Sequence, residues 1–183
     1  MTIGEALAGA REYLHGSHVD GWLLQDYRGS NPIFWNLVGP VSHITRPCWL
    51  LVPAEGDPVL LAHQVDAGRF KSMIEQAGAE DVKIQLRSFG SRSQMLTHLG
   101  EMLAGRQRVA MEYSPEAALP RVGRVDAGTV ELVRSLGVEV VSSGDVLQYA
   151  TERWTPEQRV SHGVAMDGLL RTVHDAFRFI GEN

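Results

Sequence analysis

The sequence predicts an α/β protein: a mixed, partly parallel sheet flanked by helices, followed by a long C-terminal helix. Three observations predict it. Runs such as Gly21-Trp22-Leu23-Leu24 are apolar at successive positions, as in a central strand covered on both faces. These runs alternate with stretches whose apolar residues recur every three or four positions, which is helical spacing. The last stretch, 154–183, is also helical in period, its apolar residues recurring at steps of three to five.

Taken in order, residues 3–15 form a helix with Ile3, Leu7, Ala10 and Leu14 on one face. His15 suits the negative end of its dipole, and Gly16 is expected as a left-handed cap. The strand at 21–24 follows. Strands at 47–52 and 58–62 flank Pro53-Ala54-Glu55-Gly56-Asp57, a turn short enough for an antiparallel hairpin. A helix covers 65–76 and ends at Gly78; a strand of mixed polarity at 82–86 suits a sheet edge. Residues 91–103 are helical with Met95, Leu99 and Met102 inward, and Gly105 ends the helix. A strand at 108–112 comes next, then a helix capped by Asp126 and closed by Gly137, a strand at 138–141 and a short helix to Ala150. Thr155-Pro156-Glu157-Gln158 is a helix start, with Thr155 and Gln158 as a capping box. Behind it Val160, Val164, Leu169, Val173, Phe177 and Ile180 make an apolar stripe on a helix roughly 37 Å long. Asp167, Arg171 and Asp175 are spaced to pair on another face. The predicted division is a domain at 1–153 and a linker helix at 154–183.

Hydrophobic content of 44% with 21% charged residues suits a soluble globular chain. A net charge of −5 with scattered cations argues against nucleic acid as a partner. Apolar runs of about five residues fall far short of the ~20 that span a bilayer. Met1-Thr2-Ile3-Gly4-Glu5 lacks a signal-peptide pattern, and the lone Cys48 fits a reducing cytoplasm. Cys48 lies in a strand of buried character, where a thiol is structural.

Catalytic constellations are not found. Gly123 and Gly128 have neither the spacing nor the preceding strand of a phosphate loop, and no nucleophile elbow occurs. His15 and His18 have no carboxylate or cysteine at ligand spacing, while His162 and His174 point apart on one helix. Asp26, at the end of the first strand, stands almost alone. The reading is therefore no catalytic residue, no metal ligand and no cofactor in this chain.

Three stretches carry a resemblance. Asp20-Gly21-Trp22-Leu23-Leu24 leads into Tyr27-Arg28-Gly29-Ser30-Asn31-Pro32; Trp49-Leu50-Leu51-Val52-Pro53-Ala54-Glu55-Gly56-Asp57-Pro58-Val59-Leu60-Leu61 follows; the third runs from Val125 to Ser143. Together, and in this order before Trp154-Thr155-Pro156-Glu157-Gln158, they resemble the N-terminal, creatinase-type domain of bacterial Xaa-Pro peptidases, the prolidase and aminopeptidase P group.

The resemblance implies a non-catalytic domain that serves dimerisation and shapes the substrate entrance. The parent would hydrolyse Xaa-Pro bonds with two divalent metals, manganese or cobalt, held by two Asp, one His and two Glu of a catalytic domain beyond this chain. Its partners would be that domain, a second subunit and proline-containing peptides. No catalytic position carries over, because beyond Thr155 the only acids are Glu157, Asp167, Asp175 and Glu182, on or at the end of one helix. The implied entrance is the loop after the first strand, with Arg28, Asn31 and Trp35, and slightly later His43 and Arg46. Arg28 or Arg46 would hold a substrate carboxylate and Trp35 would stack on proline. The plainer reading makes 28–32 a turn, with Asn31 capping a short helix in which Phe34, Trp35 and Leu37 pack. The alternative to the whole account is a stand-alone α/β binding or dimerisation module. A third reading, a small α/β enzyme, requires turnover by the isolated chain. Creatinase, with the same two-domain plan and a metal-free hydrolysis, shows that the fold leaves the substrate open.

Overall fold

The computed structural model describes residues 3–39, 44–76 and 83–182. The chain divides into two compact units, 1–151 and 152–183. In chain order the first unit holds α1 (Ile3–His15), β1 (Gly21–Asp26), α2 (Pro32–Val38), β2 (Cys48–Pro53), β3 (Val59–His63) and α3 (Gln64–Gln76). Then come β4 (Gln85–Phe89), α4 (Arg92–Leu103), β5 (Arg108–Met111), α5 (Ala127–Ser135), β6 (Glu139–Ser142) and α6 (Gly144–Thr151).

The six strands form one sheet in the order β4-β3-β2-β1-β5-β6. β2 pairs antiparallel with both β1 and β3, while β3–β4, β1–β5 and β5–β6 are parallel, so the sheet is mixed as the sequence predicts. Strand alternation sorts the core into two layers. Trp22, Leu24, Leu50 and Leu60 pack with Leu7, Phe34, Phe70 and Leu147 of α1, α2, α3 and α6. Leu23, Leu51, Leu61 and Val109 pack on the other face with Leu99 of α4 and Val133 of α5. Every residue of β1 and β2 is buried, which is what apolar side chains at successive positions require of central strands. Gly21 opens β1 where a Cβ would meet Leu51 Cδ1 at 3.1 Å and the Val52 carbonyl at 3.2 Å, so a side chain would press on the neighbouring strand.

Three local expectations are corrected. Gly16 is not a left-handed cap; α1 closes through Gly16 N–H to Tyr13 O and Ser17 N–H to Leu14 O, a tightened last turn. The edge strand lies at 85–89 rather than 82–86, because its register on β3 runs from Val59↔Gln85 to His63↔Phe89 and buries Phe89. Ile84 is buried ahead of it, outside the strand, while Val82 and Gly78 lie outside the described residues. In the second unit Arg171 makes no ion pair with Asp175; Asp175 pairs with Arg178 at 2.7 Å. Arg four residues before Asp is the weaker helical order.

The second unit is α7 (Pro156–Glu182), 27 residues long. Its capping box forms: Gln158 N–H donates to Thr155 Oγ1 at 3.2 Å and Thr155 N–H to Gln158 Oε1 at 2.8 Å. Trp154 packs on the His162 ring, with centroids 4.4 Å apart. A single helix has nothing of its own to cover its stripe, and Val160, Val164, Leu169, Phe177 and Ile180 are exposed.

Candidate functional site

β1 and β5 are adjacent parallel strands, and the chain leaves them in opposite directions across the sheet. Such a switch point places loops, and hence sites, at the carboxyl ends of the two strands. Asp26 ends β1 there, and Glu112 directly follows β5. Both side chains are fully buried.

Asn31 joins them. Its backbone N–H donates to Asp26 Oδ1 at 2.8 Å, and its Nδ2 donates to Glu112 Oε2 at 3.0 Å and to the Gln25 carbonyl at 2.8 Å. Its Oδ1 caps α2 by accepting from Ile33 and Phe34 N–H. Asp26 Oδ2 also accepts from Gly29 N–H at 2.8 Å, and Trp22 Nε1 donates to Glu112 Oε1 at 2.7 Å. Asp26 is thus not alone. Glu112 was missed because Asn31 and Glu112 lie 81 residues apart, and only the β4-to-β5 crossover brings them together. The usable signal was a charged residue closing the otherwise apolar run Val109-Ala110-Met111.

Burial pushes the Glu112 carboxyl up to about 7, while hydrogen bonds from Trp22 and Asn31 pull the other way. The Ser143 hydroxyl is buried beside this carboxyl and has no hydrogen-bond partner. Cys48 is buried and its Sγ contacts the Asp26 carbonyl at 3.8 Å; burial first, then Asp26, holds its thiol well above the ordinary value. That is the setting of an inert thiol.

The loop after β1 carries two of the predicted site residues, Arg28 and Asn31, while Trp35 lies on α2 rather than on the loop. Arg28 is exposed, with a left-handed backbone (φ 61°), and Gly29 follows at φ 77°. Two successive residues in this region turn the chain sharply, and Asp26 holds the turn through two backbone N–H groups. Asn31 is buried and fully engaged. Trp35 is half-buried, stacked on Phe70 of α3 (centroids 6.1 Å, 12° between planes) and edge-on to Phe34. One face of its ring is therefore taken, and its buried indole N–H has no partner. Arg46 precedes β2, whose Cys48 pairs in register with Asp26, so it stands at the same end of the sheet; its Nη1 donates to Thr45 Oγ1 at 3.2 Å. His43 lies outside the described residues.

A separate cleft of about 440 Å³ lies between α1, β5, β6 and α6, with Tyr13, His18, Arg108 and Asp145 in its lining; Arg28, Asn31, Trp35 and Arg46 do not line it. Among the described residues no three His, Cys, Asp or Glu side chains converge on a point. Asp26 and Glu112 already accept N–H donors on all four oxygens, so this buried pair does not fit a metal pair.

No known family model matches the sequence, and no curated protein matches it. Solved structures do match by fold. The prolidase of Pyrococcus horikoshii OT3 superposes with a TM-score of 0.55 at 15% identity, covering 79% of this chain and 34% of that one. The N-terminal domain of Xaa-Pro dipeptidase from Lactobacillus brevis gives 0.53 at 13%, covering 78% and 97%. A Creatine_N superfamily domain of a dipeptidase from Streptococcus thermophilus gives 0.56 at 11%, covering 81% and 97%. The fold is that of a creatinase-type N-terminal domain. The match spans about a third of the whole prolidase but nearly all of each isolated domain. In this creatinase-type fold the long helix α7 follows the sheet domain as a unit of its own.

Proposed function

We propose that this chain is the non-catalytic N-terminal domain of an Xaa-Pro dipeptidase or aminopeptidase, and that its β1–α2 loop shapes the substrate entrance of a dimeric, two-metal parent enzyme. The observation that carries the reading is the fold, which matches an N-terminal domain of an Xaa-Pro dipeptidase over 97% of that domain's length. The loop adds local support. Asp26 and Asn31 fix it, and it offers the exposed guanidinium of Arg28, a group suited to a peptide carboxylate. Arg46 stands at the same end of the sheet as a second such group.

Incubating the purified chain with Xaa-Pro dipeptides and manganese or cobalt tests the non-catalytic role. No turnover is expected. Hydrolysis that survives repurification and scales with chain concentration would overturn it. In a protein that carries both halves, Arg28→Ala is expected to raise KM about ten- to a hundredfold with kcat nearly kept, the loss of one charge-assisted contact. An unchanged KM would remove Arg28 from the entrance.

A further inference from the structure

Glu112 is sealed from solvent, and the groups bonded to its carboxyl are neutral, the Trp22 indole and the Asn31 amide, with the Ser143 hydroxyl beside it. A carboxylate so placed keeps its charge at a cost that proton uptake relieves. The neutral acid then needs an acceptor for its own O–H. Trp22 and Asn31 turn only N–H groups toward it, so neither serves. Ser143 Oγ is buried without another partner, and a hydroxyl donates or accepts as required.

We propose that Glu112 and Ser143 form a proton switch that sets how firmly the 26–31 loop is held. With Glu112 ionised, the bond from Asn31 Nδ2 is charge-assisted, roughly twice as strong as its neutral counterpart. With Glu112 protonated that bond falls to ordinary strength, and the unpartnered Ser143 hydroxyl accepts the acid's O–H. Asn31 passes the change on, because the same residue bonds Asp26 through its backbone and caps α2 through Oδ1. Groups on the surrounding elements are placed differently. Asp26 of β1 reaches Glu112 only through Asn31, Cys48 of β2 contacts the Asp26 carbonyl, and Asp66 of α3 acts on Cys48. Asp145 of α6 interacts with Tyr13, and Arg124, whose backbone N–H donates to the Glu112 carbonyl, has an exposed side chain. The switch operates whatever the loop touches.

Carboxyl-carbon NMR of the glutamate-labelled wild-type chain, read with the backbone amides across pH 4 to 9, tests it without any substitution. Glu112 Cδ is expected to titrate with a midpoint near 7. The amides of Gly29, Asn31 and Ile33 should move with that same midpoint. Ser143→Ala should shift the midpoint downward, since it removes the acceptor for the neutral acid's O–H. A Glu112 midpoint below 5, or loop amides that stay flat through the Glu112 transition, would overturn the proposal.

Discussion

At the scale of single residues, buried charge and backbone sign decide most. The Glu112 carboxyl sits at about 7 in the folded chain and in the ordinary range when unfolded. The folded state therefore holds its proton over a window where the unfolded chain has released it. Stability from this group is complete below about pH 4.5 and is lost as pH rises to about 7, a difference of about 3 kcal/mol. Urea midpoints should fall across that window, and in Glu112→Gln the fall should vanish. An equal slope in both proteins would place the titration elsewhere. Glu112→Gln should also be less stable at pH 5, because its amide N–H₂ faces either the Trp22 or the Asn31 donor. Gly29 takes φ 77°, so Gly29→Ala should cost roughly 1 to 2 kcal/mol even though the nearest atom to the new methyl, the Trp35 indole nitrogen, is 4.0 Å away. Denaturant unfolding checks this, and a neutral effect would mean the loop has another conformation.

At the scale of elements, α2 has seven residues and depends on its cap. Asn31→Ala removes the cap and leaves Glu112 short of a donor, so it should cost about 3 kcal/mol and broaden the amide signals of 26–38. Asp126→Ala, which removes the cap of α5 and its exposed bond from the Thr129 hydroxyl, should cost about 1 kcal/mol. Equal losses would deny Asn31 its second role. The elements were largely legible in the sequence because each has a local cause: the Thr155/Gln158 capping box, Gly105 and Gly137 with positive φ after α4 and α5, and the unbroken apolar runs of β2 and β3. What was not legible is non-local. The register of β4 follows from its pairing with β3, and the Asp26–Asn31–Glu112 chain follows from strand order. The sequence places Asn31 on the right loop, yet its bond to Glu112 exists only once β1 and β5 are neighbours.

At the scale of the whole molecule, the sheet unit is complete in its own two-layer core, whereas α7 carries an apolar stripe that its own unit leaves uncovered. We propose that a second copy of this chain covers it. Light scattering at tens of micromolar should then report association, and Val164→Glu with Leu169→Glu should abolish it; a wild-type monomer would count against a role in dimerisation. The fold was legible at this scale because helix, hairpin and late helix–strand–helix follow one another in a distinctive order, while the function was not, since one fold can host unrelated functions. The most direct measurement is the reading frame beyond the Asn183 codon in the native transcript. The account predicts an in-frame continuation that encodes two Asp, one His and two Glu able to hold a metal pair. A stop codon at that point would contradict it and leave a stand-alone module of the same fold.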